Sequence, residues 1–294
     1  MKNFVYDRYG YFNEEDKECF DYEGFHFGVE RNDKSPQETE NMNRYIIAFS
    51  ADAFGKRGYI VPTRDDQLIT LSEFGAVSLV AVEQFAVRID DIKQIHYLTL
   101  SPDSKSRLSY VKNRWIAKLN LMQEKIMPSL KIDEYYYQMV MISLTQAIGL
   151  ADNAIAYLED TIIDYGDQLK VTALSHKRIH LNSYELLNPF NLIVDSPMRD
   201  FAELYKNGEI ELDELISVLY EYQSNPKEVS ILLSRVLYPT RLFDLIEDHY
   251  QKRGDITKEI EEYYRDTSRQ IDKIKRLHNH LVNHYGIRKI NWLI

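Results

Sequence analysis

The stretch LSHKRIHLNSYELLNPFNLIVDSPMRDFAE, residues 174–203, carries the side chains best placed to do chemistry. His176, Lys177 and Arg178 fall on an H-x-D-x-x-x-x-N frame, and Asp195 follows in LIVDSP. In phosphoryl-transfer enzymes that frame supplies a carboxylate to orient the attacking hydroxyl, and a later aspartate holds metal against the phosphates. By this count Arg178 stands at the catalytic aspartate and Ser183 at the asparagine, with Asn182 one residue out of register. A guanidinium has donors only and does not deprotonate at working pH, so Arg178 cannot be the base. General-base help is worth about a hundredfold to ten-thousandfold, roughly 3–5 kcal/mol of barrier.

Asp195 is the one chemically competent carboxylate left in the frame, and it is the candidate ligand for both a nucleotide and a metal. The competing reading is a turn aspartate ahead of Pro197. One carboxylate makes a weak magnesium site unless substrate phosphates complete the octahedron. The N-terminal third offers no G-x-G-x-x-G loop, and no lysine lies between Lys17 and Lys34. Arg31, Glu38 and Glu40 could form a substitute ion pair, or simply decorate a solvated helix start. His176 and His180 are four apart without the glutamate of a zinc hydrolase, and His278, His280 and His284 lack a third ligand, so structural histidines are expected. The Tyr135-Tyr136-Tyr137 run could cross-link oxidatively, but buried rings with a wet hydroxyl are the commoner use.

The elements that must hold these residues can be read from periodicity. CFDYEGFHFGVER alternates apolar residues across a glycine turn, as a strand pair does. Ser35, with Glu38 three residues on, opens a capped helix that closes near Gly55. Three β-rich runs follow, parted by turns at residues 65–67 and 73–75. After about residue 88 the period becomes helical: residues 106–127, 133–158 and 213–223, a pair broken at Pro239, and a long helix from about 256 to 284. The expected fold is α+β, with a small β-rich N-lobe over 1–86 and a larger helical C-lobe over 87–294 that carries the degenerate loops.

With 294 residues, 44% hydrophobic and 28% charged, the chain has the composition of an ordinary globular protein. Its formal charge of −10 opposes nucleic-acid and anionic-membrane partners. The single cysteine, Cys19, makes no internal disulfide, and the N-terminus shows no signal-peptide pattern, so cytoplasmic synthesis is expected.

GLADNAIAYLED (149–160), LSHKRI (174–179), NPFNLIVDSPMRDFAELYK (188–206) and SRVLYPTRLFDLIEDHYQ (234–251) together resemble a spore-coat-associated kinase-like family of Bacillus-type bacteria, of YutH/CotS type. That family is a branch of the aminoglycoside phosphotransferase and choline kinase group. The resemblance implies a bilobal protein-kinase-like fold, ATP and magnesium as the cofactors such a fold would hold, and a setting in sporulation with spore-coat or other protein partners. In this branch the H-x-D aspartate is commonly replaced, as it is here by Arg178, so the resemblance implies the fold and the sporulation setting rather than an activity; the combined loss at Arg178, at Ser183 and in the N-lobe points to a pseudokinase acting as a binding or assembly module. The alternative is a slow ATP-dependent phosphotransferase acting on a small molecule or protein. Asp200, in MRDFAE, matches a position that in the wider group braces the catalytic loop.

Overall fold

The computed structural model describes residues 2–12, 19–73, 75–102, 105–130, 137–252 and 256–294. Helix α1 (Lys2–Tyr9) comes first, followed by the strands expected from the alternating run, β1 (Cys19–Tyr22) and β2 (Phe25–Arg31). They turn at Glu23 and Gly24, both at positive φ, the backbone that matches a two-residue hairpin to strand twist. Helix α2 (Pro36–Phe54) has the expected reciprocal cap: Ser35 Oγ accepts from the Glu38 main chain, and the Glu38 carboxylate accepts from the Ser35 main chain. It ends at Gly55, whose φ of 60° is the left-handed stop that glycine adopts without strain. Strands β3 (Gly58–Val61), β4 (Thr70–Ser72) and β5 (Gly75–Glu83) complete an antiparallel sheet of order β1-β2-β5-β3, with β4 also on β5.

From here the chain is mainly helical. After α3 (Ile89–Thr99) comes α4 (Leu108–Leu121), which runs on through a π-helical turn, Met122–Ile126, into α5 (Met127–Ser129). Next is α6 (Tyr137–Tyr165); the expected start at Asp133, with Tyr135 and Tyr136, lies outside the described residues. A hairpin of β6 (Ala173–His176) and β7 (Leu192–Asp195) encloses the short α7 (Ser183–Leu187). Then follow α8 (Met198–Asn207), α9 (Leu212–Glu221), α10 (Pro226–Leu237), α11 (Thr240–Lys252), divided from α10 at Pro239 as expected, and α12 (Thr257–Tyr285). The fold is α+β, a small antiparallel sheet first and helices after it.

The chain packs as two units. The first takes residues 1–100 together with 173–195, so α3 and the β6-α7-β7 segment pack with the sheet. Its apolar centre joins Phe27, Val61, Leu79 and Ala81 of the sheet to Val5 and Tyr9 of α1. The β6 strand is fixed beside α3, where Thr99 Oγ1 accepts the Leu174 N–H at 2.9 Å. The second unit takes 101–172 and 196–294. At its centre α10 is buried along almost its whole length against α6 and α8. By composition α6 could cross a membrane. Its stripe Val140, Leu144, Ala147, Ala151, Ala154 and Leu158 is nonetheless buried in the unit, as in a helix at the centre of a globular fold.

Candidate functional site

The loop residues sit where β6 gives way to α7. His176, the last residue of β6, is fully buried and its Nε2 bonds the Leu186 carbonyl at 3.1 Å, tying the strand to α7. Arg178 donates its main-chain N–H to Asn191 Oδ1 at 3.0 Å, and its Nη1 to the Lys177 carbonyl at 2.6 Å. Ser183 is the buried first residue of α7, and Asn182 is its N-cap, accepting the Glu185 N–H at 2.8 Å.

Asn191 is the residue that counting forward from His176 misses. It lies eight residues beyond Ser183 and immediately before β7. Its Nδ2 donates to the carbonyls of Arg178 at 2.6 Å and Glu185 at 2.8 Å, while the Lys177 N–H reaches its own carbonyl at 2.7 Å. Counted back from Asp195, this is the asparagine facing the loop, and the residues between Arg178 and Asn191 are long enough to hold a helix. Both ends of its amide are engaged with main chain.

That helix carries Tyr184 onto the sheet. The Tyr184 hydroxyl donates to Glu30 Oε1 at 2.7 Å, and Asn188 Nδ2 donates to the same oxygen at 2.6 Å. The ring meets His26 edge-on with centroids 4.7 Å apart. Gly28 lies between His26 and Glu30, and a Cβ placed on it would fall 1.9 Å from the Tyr184 hydroxyl oxygen, so only glycine admits the ring. Burial, and then the Glu30 charge and hydrogen bond, raise the Tyr184 hydroxyl well above the usual tyrosine range. His180 and Glu185 close the base of the loop: Glu185 accepts the His180 main-chain N–H at 2.6 Å and lies 3.0 Å from its Nδ1.

A recess of about 810 Å³ opens in the first unit, with His26 and Glu30 on one wall, Gln84 and Phe85 on another, and Lys177 and Arg178 on the loop side. Such a volume lies within the range of small-molecule sites. Asp195 is buried at the end of β7 and is not part of the recess lining. Asp200 lies in the second unit, fully buried in the first turn of α8. The substitute ion pair does not form: Arg31 pairs with Asp33, Glu40 with Arg44, and Glu38 serves the cap. Among the described residues no three His, Cys, Asp or Glu side chains gather as a metal site. His280 and His284 stack on each other, and His278 Nε2 accepts the Ile290 N–H at 2.9 Å, as structural histidines do.

This donor set does not fit magnesium nucleotide held in the manner of a protein kinase. That chemistry places a lysine on the strand before the first helix of the sheet domain, a carboxylate in the loop, and an asparagine oxygen on metal. Strand β2 presents Glu30 instead, the loop presents Arg178, and the Asn191 oxygen accepts a main-chain N–H.

Comparison with known proteins bears on the fold. The chain resembles a solved aminoglycoside phosphotransferase from Alicyclobacillus acidocaldarius, with 11% identity, 92% of each chain covered and a TM-score of 0.54. It also resembles the AMP-bound complex of spectinomycin phosphotransferase APH(9)-Ia, with 12% identity, 90% of this chain and 93% of that one covered, and a TM-score of 0.50. At these identities the likeness is one of fold, and the fold is that of the kinase-like aminoglycoside phosphotransferases. No curated protein sequence matches the chain. Residues 3–282 match the family model described as "Spore coat putative kinase YutH", and the chain therefore belongs to that family.

Proposed function

We propose that this protein is a pseudokinase of the spore coat: a kinase-like fold used as a binding or assembly module, made in the cytoplasm and without efficient phosphoryl transfer. The observation that carries the reading is a double reversal of charge, Glu30 on β2 where a phosphate-binding lysine is needed and Arg178 in the loop where a base is needed. Each reversal acts against a different part of the reaction. A carboxylate on the strand opposes the phosphates, and a guanidinium cannot take the hydroxyl proton. The partners on this reading are proteins, the charge of −10 disfavouring nucleic acid.

A slow ATP-dependent phosphotransferase is the second reading, favoured by the open recess of about 810 Å³. The two separate in an assay of magnesium-dependent ATP turnover by the purified chain, beside Asp195→Ala. The pseudokinase reading expects the same background rate from both proteins. A rate well above background that Asp195→Ala abolishes would establish the enzyme instead.

A further inference from the structure

Nucleotide-binding strands and linkers present free surface: an open strand face for a flat base, and unpaired main-chain donors and acceptors for its edge. In the first unit both are already taken, and by the same segment. Tyr184 lies end-on against Gly28, fixed by Glu30 and flanked by His26. Two residues earlier, Asn182 pairs by its main chain with Ala86, in the linker that follows β5. Gln84 and Phe85 of that linker, together with His26, Glu30 and Tyr184, border the recess described above. The segment that does this is the stretch between Arg178 and Asn191, whose length is the departure from the H-x-D-x-x-x-x-N frame.

We propose that Tyr184 is an internal surrogate ligand: α7 places its phenol ring on the face of β2 where a purine would rest, so that this strand face is covered with no nucleotide bound. This rests on the pseudokinase reading and adds what fills the place of the nucleotide. Gly28 is the other half of the device. It leaves room on the strand for a flat ring, and that room is occupied from within.

The test uses the full chain and adenosine as probe, which carries no phosphate and so does not meet the Glu30 charge. Tyr184→Ala vacates the strand face, whereas Tyr184→Phe keeps the ring and removes only the hydroxyl. Calorimetry is expected to show saturable adenosine binding by Tyr184→Ala, at least tenfold tighter than by the wild type or by Tyr184→Phe. Equal affinity in all three, or no binding by a folded Tyr184→Ala, would overturn the proposal. Should Tyr184→Ala fail to fold, Gly28→Ala decides by hydrogen exchange. Its new methyl must push the ring off the strand, so residues 183–188 should exchange at least tenfold faster while β5 stays protected, and unchanged protection of α7 would overturn the proposal. Failure here leaves the pseudokinase reading standing. That reading falls only if the wild type turns over ATP through Asp195.

Discussion

On the pseudokinase reading Arg178 stands where a base is needed, and the neighbouring contacts show how the loop around it is held. Asn191 braces it through three main-chain bonds, to the Arg178 N–H and to the carbonyls of Arg178 and Glu185. Removing a partner from part-buried polar groups leaves them without compensation, at about 1–3 kcal/mol each. Asn191→Ala should therefore lower stability by about 2 kcal/mol or more in denaturant unfolding; a change below about 0.5 kcal/mol would show that the brace does not matter. Glu185 gives a pH signature. Burial pushes its carboxyl up, but the hydrogen bonds and charge of His180 outweigh this and hold it below the usual glutamate value. A carboxyl lowered on folding adds stability above its unfolded value, and that stability is lost as pH falls through its folded value. Thermal midpoints should thus fall on acidification below about pH 4.5, the ordinary glutamate range. The fall should be shallower in Glu185→Gln.

At the scale of elements, helices and strands were legible wherever period and caps agreed. Ser35 with Glu38, the break at Pro239 and the alternation in β1 and β2 each announce their element and appear in the structure. Ser35→Ala should cost about 1 kcal/mol, the usual worth of such a cap, read as a shift in the unfolding midpoint. Helix α1 was not legible, because Val5 and Tyr9, with Phe4 packed beside them, make too short an apolar pattern in a charged octamer for a periodicity to register. Another joint hidden from the sequence is Lys227 in the first turn of α10, whose Nζ donates to the carbonyls of Gly166 at 2.7 Å and Gln168 at 2.6 Å beyond the end of α6. Lys227→Met keeps the aliphatic stem and loses these charge-assisted bonds. A loss of about 2 kcal/mol is expected, and hydrogen exchange should locate it at the C-terminal turn of α6.

At the scale of the whole molecule, a sheet followed by helices and the kinase-like frame could be read from order and motif blocks, since both are written in contiguous sequence. What fills the frame could not. Glu30 and Tyr184 meet across 154 residues of chain. Gly28 reads as an ordinary glycine until the ring above it is seen, and Asn191 stands out only when the loop is measured from β7. Counted on the H-x-D frame, the sequence shows Arg178 and Ser183 at the key positions; the contacts of Tyr184 with Glu30 and of Asn191 with the loop appear only in the fold. The central claim is that this fold no longer holds nucleotide in the kinase manner, and calorimetric titration of the wild-type chain with ATP and magnesium tests it most directly. The account predicts no saturable heat into the millimolar range. Magnesium-dependent binding at micromolar concentration, lost in Asp195→Ala, would contradict it.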